Sequence, residues 1–320
     1  MNSRNIKAHL RRKVDDWAAS VTDPVVAALI LRDTIVTGGS IASLLLNEDV
    51  RDYDVYFTSQ TTTLAVARYY LAQFKPKQSA GIPCNISVVS IPDIRGVICT
   101  KIVVKSAGIA SEQGTVKPYQ YFEQGPAGRA GQYLDDVIQD PGQIEEVYEE
   151  TETMALAVRD SRTDKTKYRP VFISTNAITL SDKIQAVLRF SGNPEEIHST
   201  FDFAHCMNYY RRDQDQLVLR PQALEALLTK ELRYVGSLYP ICSLIRLRKF
   251  IKRDWWISAG QVLKMVMQAA ALDLTNPRVL EDQLTGVDCA YFAELLAKVA
   301  DKDPQRIDSA YLVEVIDRMF

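Results

Sequence analysis

Patterned cysteine is the first thing this chain lacks. Its five cysteines (Cys84, Cys99, Cys206, Cys242 and Cys289) are scattered, odd in number and never in Cys-x-x-Cys spacing. That excludes a disulfide framework and a zinc ribbon, and implies reduced thiols in a cytoplasmic compartment. Histidine is as sparse. His9, His198 and His205 are the full complement, and no Ser/His/Asp or Cys/His arrangement can be assembled from them, so covalent catalysis finds no support. Long apolar runs are missing, so no segment reads as a membrane span, and the polar N-terminus does not read as a secretory signal. Neither sign of charge dominates. With 38 Lys and Arg against 40 Asp and Glu the net charge is −2, which excludes a wholly electrostatic nucleic-acid binder and leaves a local basic face open. What remains, 47% hydrophobic and 24% charged residues over 320 positions, suits two modest domains, each with its own core.

The most informative stretch is Ile35-Val36-Thr37-Gly38-Gly39-Ser40, followed after eleven residues by Asp52-Tyr53-Asp54-Val55-Tyr56-Phe57. Ile35 and Val36 suit a buried strand. Gly38 and Gly39 permit a sharp turn and close approach of a ligand to the main chain. Ser40 is the expected cap of a helix from Ile41 to Asn47, whose free amides attract phosphate. On the second strand, alternation sends Asp52 and Asp54 to one face, Val55 and Phe57 to the other. Two adjacent carboxylates repel each other, and a hard divalent cation such as magnesium resolves the conflict.

This glycine turn and acidic strand in an apolar frame resemble the signature of the DNA polymerase β-like nucleotidyltransferase superfamily, which includes poly(A) polymerases, tRNA CCA-adding enzymes and protein-modifying toxins. The resemblance implies an α+β fold, a small mixed-sheet nucleotidyltransferase core, here followed by a C-terminal helical bundle. It implies that Gly38, Gly39 and Ser40 hold a nucleoside triphosphate, and that Asp52, Asp54 and a third acid hold magnesium or manganese. An acceptor hydroxyl then attacks the α-phosphate and releases pyrophosphate; RNA 3′ ends, proteins and small molecules are all open as acceptors. Superfamily members carry the third acid on a strand beside the pair. The segments 85–91, 97–105 and 184–190 offer none, so Asp202, on an expected strand Phe201–Cys206, is the candidate, with a buried Asp capping a turn as the alternative. Arg189 is a candidate phosphate contact. The competing function is a catalytically inactive, nucleotide- or RNA-binding relative. The segment from Tyr239-Pro240 to Trp255 also resembles uncharacterised proteins of tailed bacteriophages, which implies the host cytoplasm.

Three regions follow: an N-terminal helical segment (1–34), the core (35–215) interrupted by an insertion at about 106–165, and a helical domain (216–320). Helix is expected over Leu64–Phe74, strands at 85–91, 97–105, 171–173 and 184–190, and a turn over Asn176–Ser181. Gln185, Val187 and Arg189 fall on one face of their strand. Asn193 reads as an N-cap with Pro194 at the first helical position. His205, three residues after Asp202, belongs on the opposite face, as a core histidine. Inside the insertion, Glu145, Glu146, Glu149, Glu150 and Glu152 read as a metal site or, more simply, a solvated helix face. Beyond Pro221, helical stripes include Tyr291, Phe292, Leu295, Leu296 and Val299, then Leu312, Val315, Ile316 and Met319. Arg246, Lys249 and Arg253 share a helix face, flanked by Arg248 and Lys252 and followed by Trp255-Trp256. Two readings stay open: phosphate contact with a stacked base, or buried tryptophans with ion-paired arginines.

Overall fold

A computed structural model describes residues 1–73, 84–92, 96–106, 167–173 and 176–274, together with Val279 and Gln283. Helix α1 (Ser3–Ser20) carries Ile6, Leu10, Val14 and Trp17 at helical spacing, and all four are fully buried. At about 1.5–3 kcal/mol for each such side chain, this stripe fastens the N-terminal helix to the sheet. The Trp17 indole N–H donates to the Tyr70 hydroxyl at 2.6 Å. Helix α2 (Pro24–Asp33) starts on Asp23, whose carboxylate accepts from the amides of Val25 and Val26, and runs straight into β1 (Thr34–Thr37). Then come α3 (Gly39–Leu46), β2 (Tyr53–Phe57) and α4 (Gln60–Gln73).

Strands β3 (Cys84–Pro92) and β4 (Ile98–Ser106) form a separate antiparallel ribbon. Strands β5 (Pro170–Ile173), β6 (Ala177–Leu180), β7 (Ile184–Ser191), β8 (Tyr209–Arg211) and β9 (Gln216–Val218) complete a seven-stranded sheet in the order β5-β6-β7-β2-β1-β8-β9. Its neighbours are antiparallel except β2 and β7, which run parallel. Helix α5 (Pro194–His198) lies between β7 and β8; α6 (Pro221–Thr229), α7 (Pro240–Ile251) and α8 (Ala259–Ala270) follow the sheet. The mixed sheet and trailing helices are the α+β class expected. Sheet pairing continues through β9, past residue 215 where the core was expected to end.

Alternation sorts the sheet into two faces. Val36, Val55, Phe57, Ile184, Ala186 and Leu188 join α1, α3 and α4 in the main core. Ile35 and Tyr56 turn the other way, against Ile197 of α5 and the half-buried Val187, Phe190 and Phe201. A third cluster, with Phe203, Leu227, Leu232, Tyr234, Trp255 and Met265, holds the C-terminal helices.

Two expected elements differ. Residues 177–180 are strand β6, not a turn, paired with both β5 and β7; Ala-Ile-Thr-Leu alternates well enough to pair on both sides. Phe201–Cys206 is not a sheet strand. Phe201 and Phe203 would share one face of a strand, but here they anchor in different clusters. This segment instead makes the isolated bridge of Phe203 to Tyr234 and a 3-10 turn at Ala204–Cys206. The Asn193 cap is present, completed by Glu196, whose carboxylate accepts from the Asn193 amide at 2.8 Å. The acidic cluster at 145–152 and the stripes from Tyr291 onward lie outside the described residues. Among the described residues no helix is long and apolar enough to cross a membrane.

Candidate functional site

Antiparallel pairing sets Thr37, the last residue of β1, opposite Asp54 of β2. The next residue, Gly38, adopts φ 82° and ψ −153°, a conformation L side chains avoid. A Cβ built there would also collide with the Asp54 carboxylate. Glycine is thus required twice, once by the backbone and once by the acid lodged in the crook of the turn. The Gly38 amide donates to the Cys206 carbonyl at 3.1 Å, which ties the turn to the 3-10 segment. Gly39 opens α3, and among the described residues nothing lies within 4 Å of a Cβ built on it. Gly39 itself is exposed, so the helix start is open at this residue, and a helix N-terminus is where an anion is favoured. Ser40 does not cap this helix. It lies inside α3, buried, with its hydroxyl turned back to the Thr37 carbonyl at 3.4 Å; Gly38 is the cap residue, with no side chain to offer.

Asp52 precedes β2 and Asp54 lies within it, both half-buried. Tyr53, Val55 and Phe57 enter the main core, so Asp54 shares the opposite face with Tyr56. On the neighbouring strand β7, the residue beside Asp54 is Gln185, an amide and not a third acid. Asp202, buried in the loop after α5, accepts from Arg246 Nη1 at 2.6 Å. Arg246 comes from α7, and its side chain keeps 38% of its exposure. The Tyr56 phenol connects these groups. Burial pushes its pKa well up, Asp54 and Asp202 push it further, and Arg246 opposes them. The Cys206 thiol is likewise raised by burial, then by Asp202 and Asp54. Asp54, Asp202, Arg246 and Tyr56 thus form one neighbourhood on one face of the sheet. Its third acid, however, is engaged by a guanidinium. Among the described residues no three His, Cys, Asp or Glu side chains stand close enough together to hold one metal ion.

The other expected site residues are dispersed. Arg189 is buried on β7, donating to the Tyr239 hydroxyl at 2.7 Å with its guanidinium over that ring. It fastens the start of α7 to the sheet. Of the basic face, Arg246 sits at Asp202, Lys249 is exposed on α7, and Arg253 lies past that helix's end. Trp255 is buried, packed on His205 at 4.3 Å between ring centroids with the rings tilted by 35°, while Trp256 is half-exposed with its indole N–H on the Thr229 carbonyl. His205 is a core residue, as its strand position suggested, although the strand itself is absent.

Residues the motif did not flag complete the turn. The Thr37 hydroxyl lies 2.8 Å from the Asn208 carbonyl, which can only accept. Its proton is therefore committed, and His198 Nε2, 2.9 Å away, acts as the donor to its oxygen. Burial, followed by Arg220, lowers His198 to about 4, so a neutral imidazole supports the glycine turn at neutral pH. No spacing connects positions 37 and 198; the only local signal was a histidine ending a well-capped helix.

A glycine turn and an acidic strand paired edge to edge in a mixed sheet define an α+β protein with a candidate anion- and cation-binding site. More particularly, residues 8–230 match the model of the Gabija anti-defense 2 family, and the chain belongs to that family. The matched span includes Gly38, Asp52, Asp54 and Asp202 and ends before α7. A relative of that description from Bacillus phage SPbetaL7 is 25% identical over 143 residues, 44% of this chain and 34% of the relative. The match thus spans about a third of that protein. Among solved structures, the chain is similar to a Thermotoga maritima CCA-adding enzyme complexed with tRNA (12% identity, TM-score 0.36, 90% of this chain and 54% of that one). It is also similar to a tRNA-processing enzyme with CTP (13% identity, TM-score 0.33, 83% and 51%).

Proposed function

We propose that this chain is a bacteriophage nucleotidyltransferase that acts against the Gabija defence for which its family is named. The observation that carries the reading is the Thr37–Asp54 register, which lodges a carboxylate against the positive-φ Gly38 at the open N-terminus of α3. In this reading the α3 amides bind the triphosphate of a nucleotide, with Gly39 leaving room for close approach. Magnesium binds commonly through one or two carboxylates, leaving its other positions to substrate and water. The Asp52/Asp54 pair suits one magnesium or manganese ion on those terms. The donor set does not suit a second ion, because Asp202 is bonded to Arg246 and an amide stands beside Asp54. When bound, the ion neutralises the charge that builds on the phosphate oxygens. Arg246, held by Asp202, supplies a fixed positive charge on the same side. The acceptor hydroxyl oxygen bonds to the α-phosphorus and gives its proton to solvent, while the α–β bridging P–O bond breaks and its electron pair leaves with pyrophosphate. An RNA acceptor would meet the exposed Arg248, Lys249 and Lys252 of α7 and its C-cap.

The test is incubation of the purified chain with each α-labelled nucleoside triphosphate, magnesium, and extract of cells carrying the defence, alongside Asp54→Asn. Label entering RNA, protein or a small molecule with the wild type, and falling about a thousandfold with Asp54→Asn, is the expected result. A second reading, a binding-only relative, is favoured by the Arg246-engaged Asp202. It prevails if no fraction is labelled while wild type and Asp54→Asn protect phage equally.

A further inference from the structure

Two tryptophans adjacent in the chain are put to opposite uses. The Trp256 amide donates to the Lys230 carbonyl at 3.0 Å, and the Trp256 carbonyl accepts from the Leu232 amide at 2.8 Å, a bridge of the parallel-strand kind. Along an extended segment neighbouring side chains point to opposite sides. Trp255 accordingly enters the core, and Trp256 stays 50% exposed. The exposed ring is nevertheless held, because its indole N–H donates to the Thr229 carbonyl at 2.9 Å. Leu228, next to Thr229 in the chain, is 86% exposed. An aromatic face is thus offered to solvent with its edge and backbone already fixed, so a partner that covers it loses little conformational freedom.

The surrounding charge selects the partner. Trp256 follows closely on the end of α7, since the Trp255 amide donates to the Phe250 carbonyl at 3.1 Å. From Arg248 to Arg253 the chain carries four cations and no acid, and Arg248, Lys249 and Lys252 are exposed. Of the acids in this part of the molecule, Glu225 and Glu231 are both bonded to Arg233, Glu48 faces Lys230 at 3.7 Å, and Asp254 is exposed. Positive charge therefore prevails beside the ring. A flat aromatic face next to a row of cations matches the alternating bases and phosphates of a single strand. A duplex keeps its base faces stacked inside, and an apolar protein surface would leave the cations without counter-charge. Helix α7 also leads to the candidate site. Arg246, bonded to Asp202, and Lys252 are six residues apart, about 9 Å along the helix axis.

We propose that Trp256 stacks a base of a single-stranded polynucleotide whose phosphates follow Lys252 and Lys249 along α7, so that the end of the strand lies at Arg246 and the candidate site. This names the acceptor of the proposed transfer and rests on that reading, while binding of the strand is measured apart from transfer. The full chain is titrated with oligouridylate and oligothymidylate of about ten nucleotides, following tryptophan fluorescence and the anisotropy of an end-labelled strand. Trp17 and Trp255 are buried, so quenching should come from Trp256 and vanish in Trp256→Phe. Affinity should fall about tenfold in Trp256→Ala and less than about threefold in Trp256→Phe. Both variants lose the indole hydrogen bond, so the difference between them is the stacked ring. An abasic strand of the same length should bind wild type and Trp256→Ala alike. Binding of either strand on these terms supports the proposal, and the tighter one identifies RNA or DNA. Equal oligonucleotide affinity in wild type and Trp256→Ala, or quenching that persists in Trp256→Phe, would overturn it. Quenching by a protein of the host extract, with none by either strand, would overturn it also and assign the face to a protein partner. Strand binding that depends on Trp256, with no labelled product, would remove the transfer reaction and leave the binding surface standing.

Discussion

Two buried imidazoles set how this protein responds to acid. Burial lowers His198 to about 4, with Arg220 adding to it, and lowers His205 to about 4 against the opposing pull of Asp202. Both ring systems are packed, His198 against Phe201 and Tyr209, His205 against Trp255 and Phe250. In the unfolded chain each would take a proton near the ordinary 6.5. Between pH 6.5 and 4 the unfolded state therefore binds more protons, and stability falls as pH falls. Each such group contributes a slope of about 1.4 kcal/mol per pH unit, so the pair gives about 2.7. Asp33 enters later: burial raises it, but hydrogen bonds from Arg32 and Thr62 hold it below the usual carboxylate range. Denaturant titrations across pH 4–8 should show the histidine slope, and His205→Phe, which keeps a packed aromatic ring, should about halve it. A flat profile above pH 4.5 would show that the imidazoles are not buried as described.

Helix α7 joins the two chemistries of the molecule. Its start is pinned to the sheet by Arg189 on Tyr239, and its middle by Arg246 on Asp202. Its far side carries Arg248, Lys249 and Lys252 toward solvent. The basic residues thus have different duties that their shared spacing conceals. Lys249→Gln with Lys252→Gln should weaken RNA binding and lower its salt dependence by about two charges, while leaving nucleotide-induced stabilisation intact. Filter binding across a salt series measures this. Unchanged affinity and slope would remove α7 from the nucleic-acid interface. Arg246→Ala is the wrong probe for that purpose, because it strands the buried Asp202 carboxylate.

For the whole molecule, nucleotide and metal binding should appear as stability. Magnesium with a nucleoside triphosphate at about a hundredfold over Kd should add about 2.7 kcal/mol, read as a higher Tm. Asp52→Asn/Asp54→Asn should lose the magnesium-dependent part while leaving the ligand-free protein at least as stable, since the repulsion between the pair is relieved. A ligand-free double variant that melts well below wild type would make the pair structural instead. The sequence alone determined the local pieces of this arrangement. Helical spacing on α1, the Asn193 cap, the β-branched strands and the Gly38-Gly39 turn depend on neighbours within a few residues, where propensity and alternation act. What only the tertiary structure decided was which distant groups meet. Phe201–Cys206 left the sheet because its two phenylalanines anchor in separate clusters. Of the two readings open for the basic face, Arg246 follows the ion-paired one because Asp202, 44 residues earlier, lies within hydrogen-bond reach. His198 came to support Thr37 across 161 residues. Such pairings are fixed by long-range packing and by the need to satisfy buried charge, and nothing in local sequence spacing encodes either.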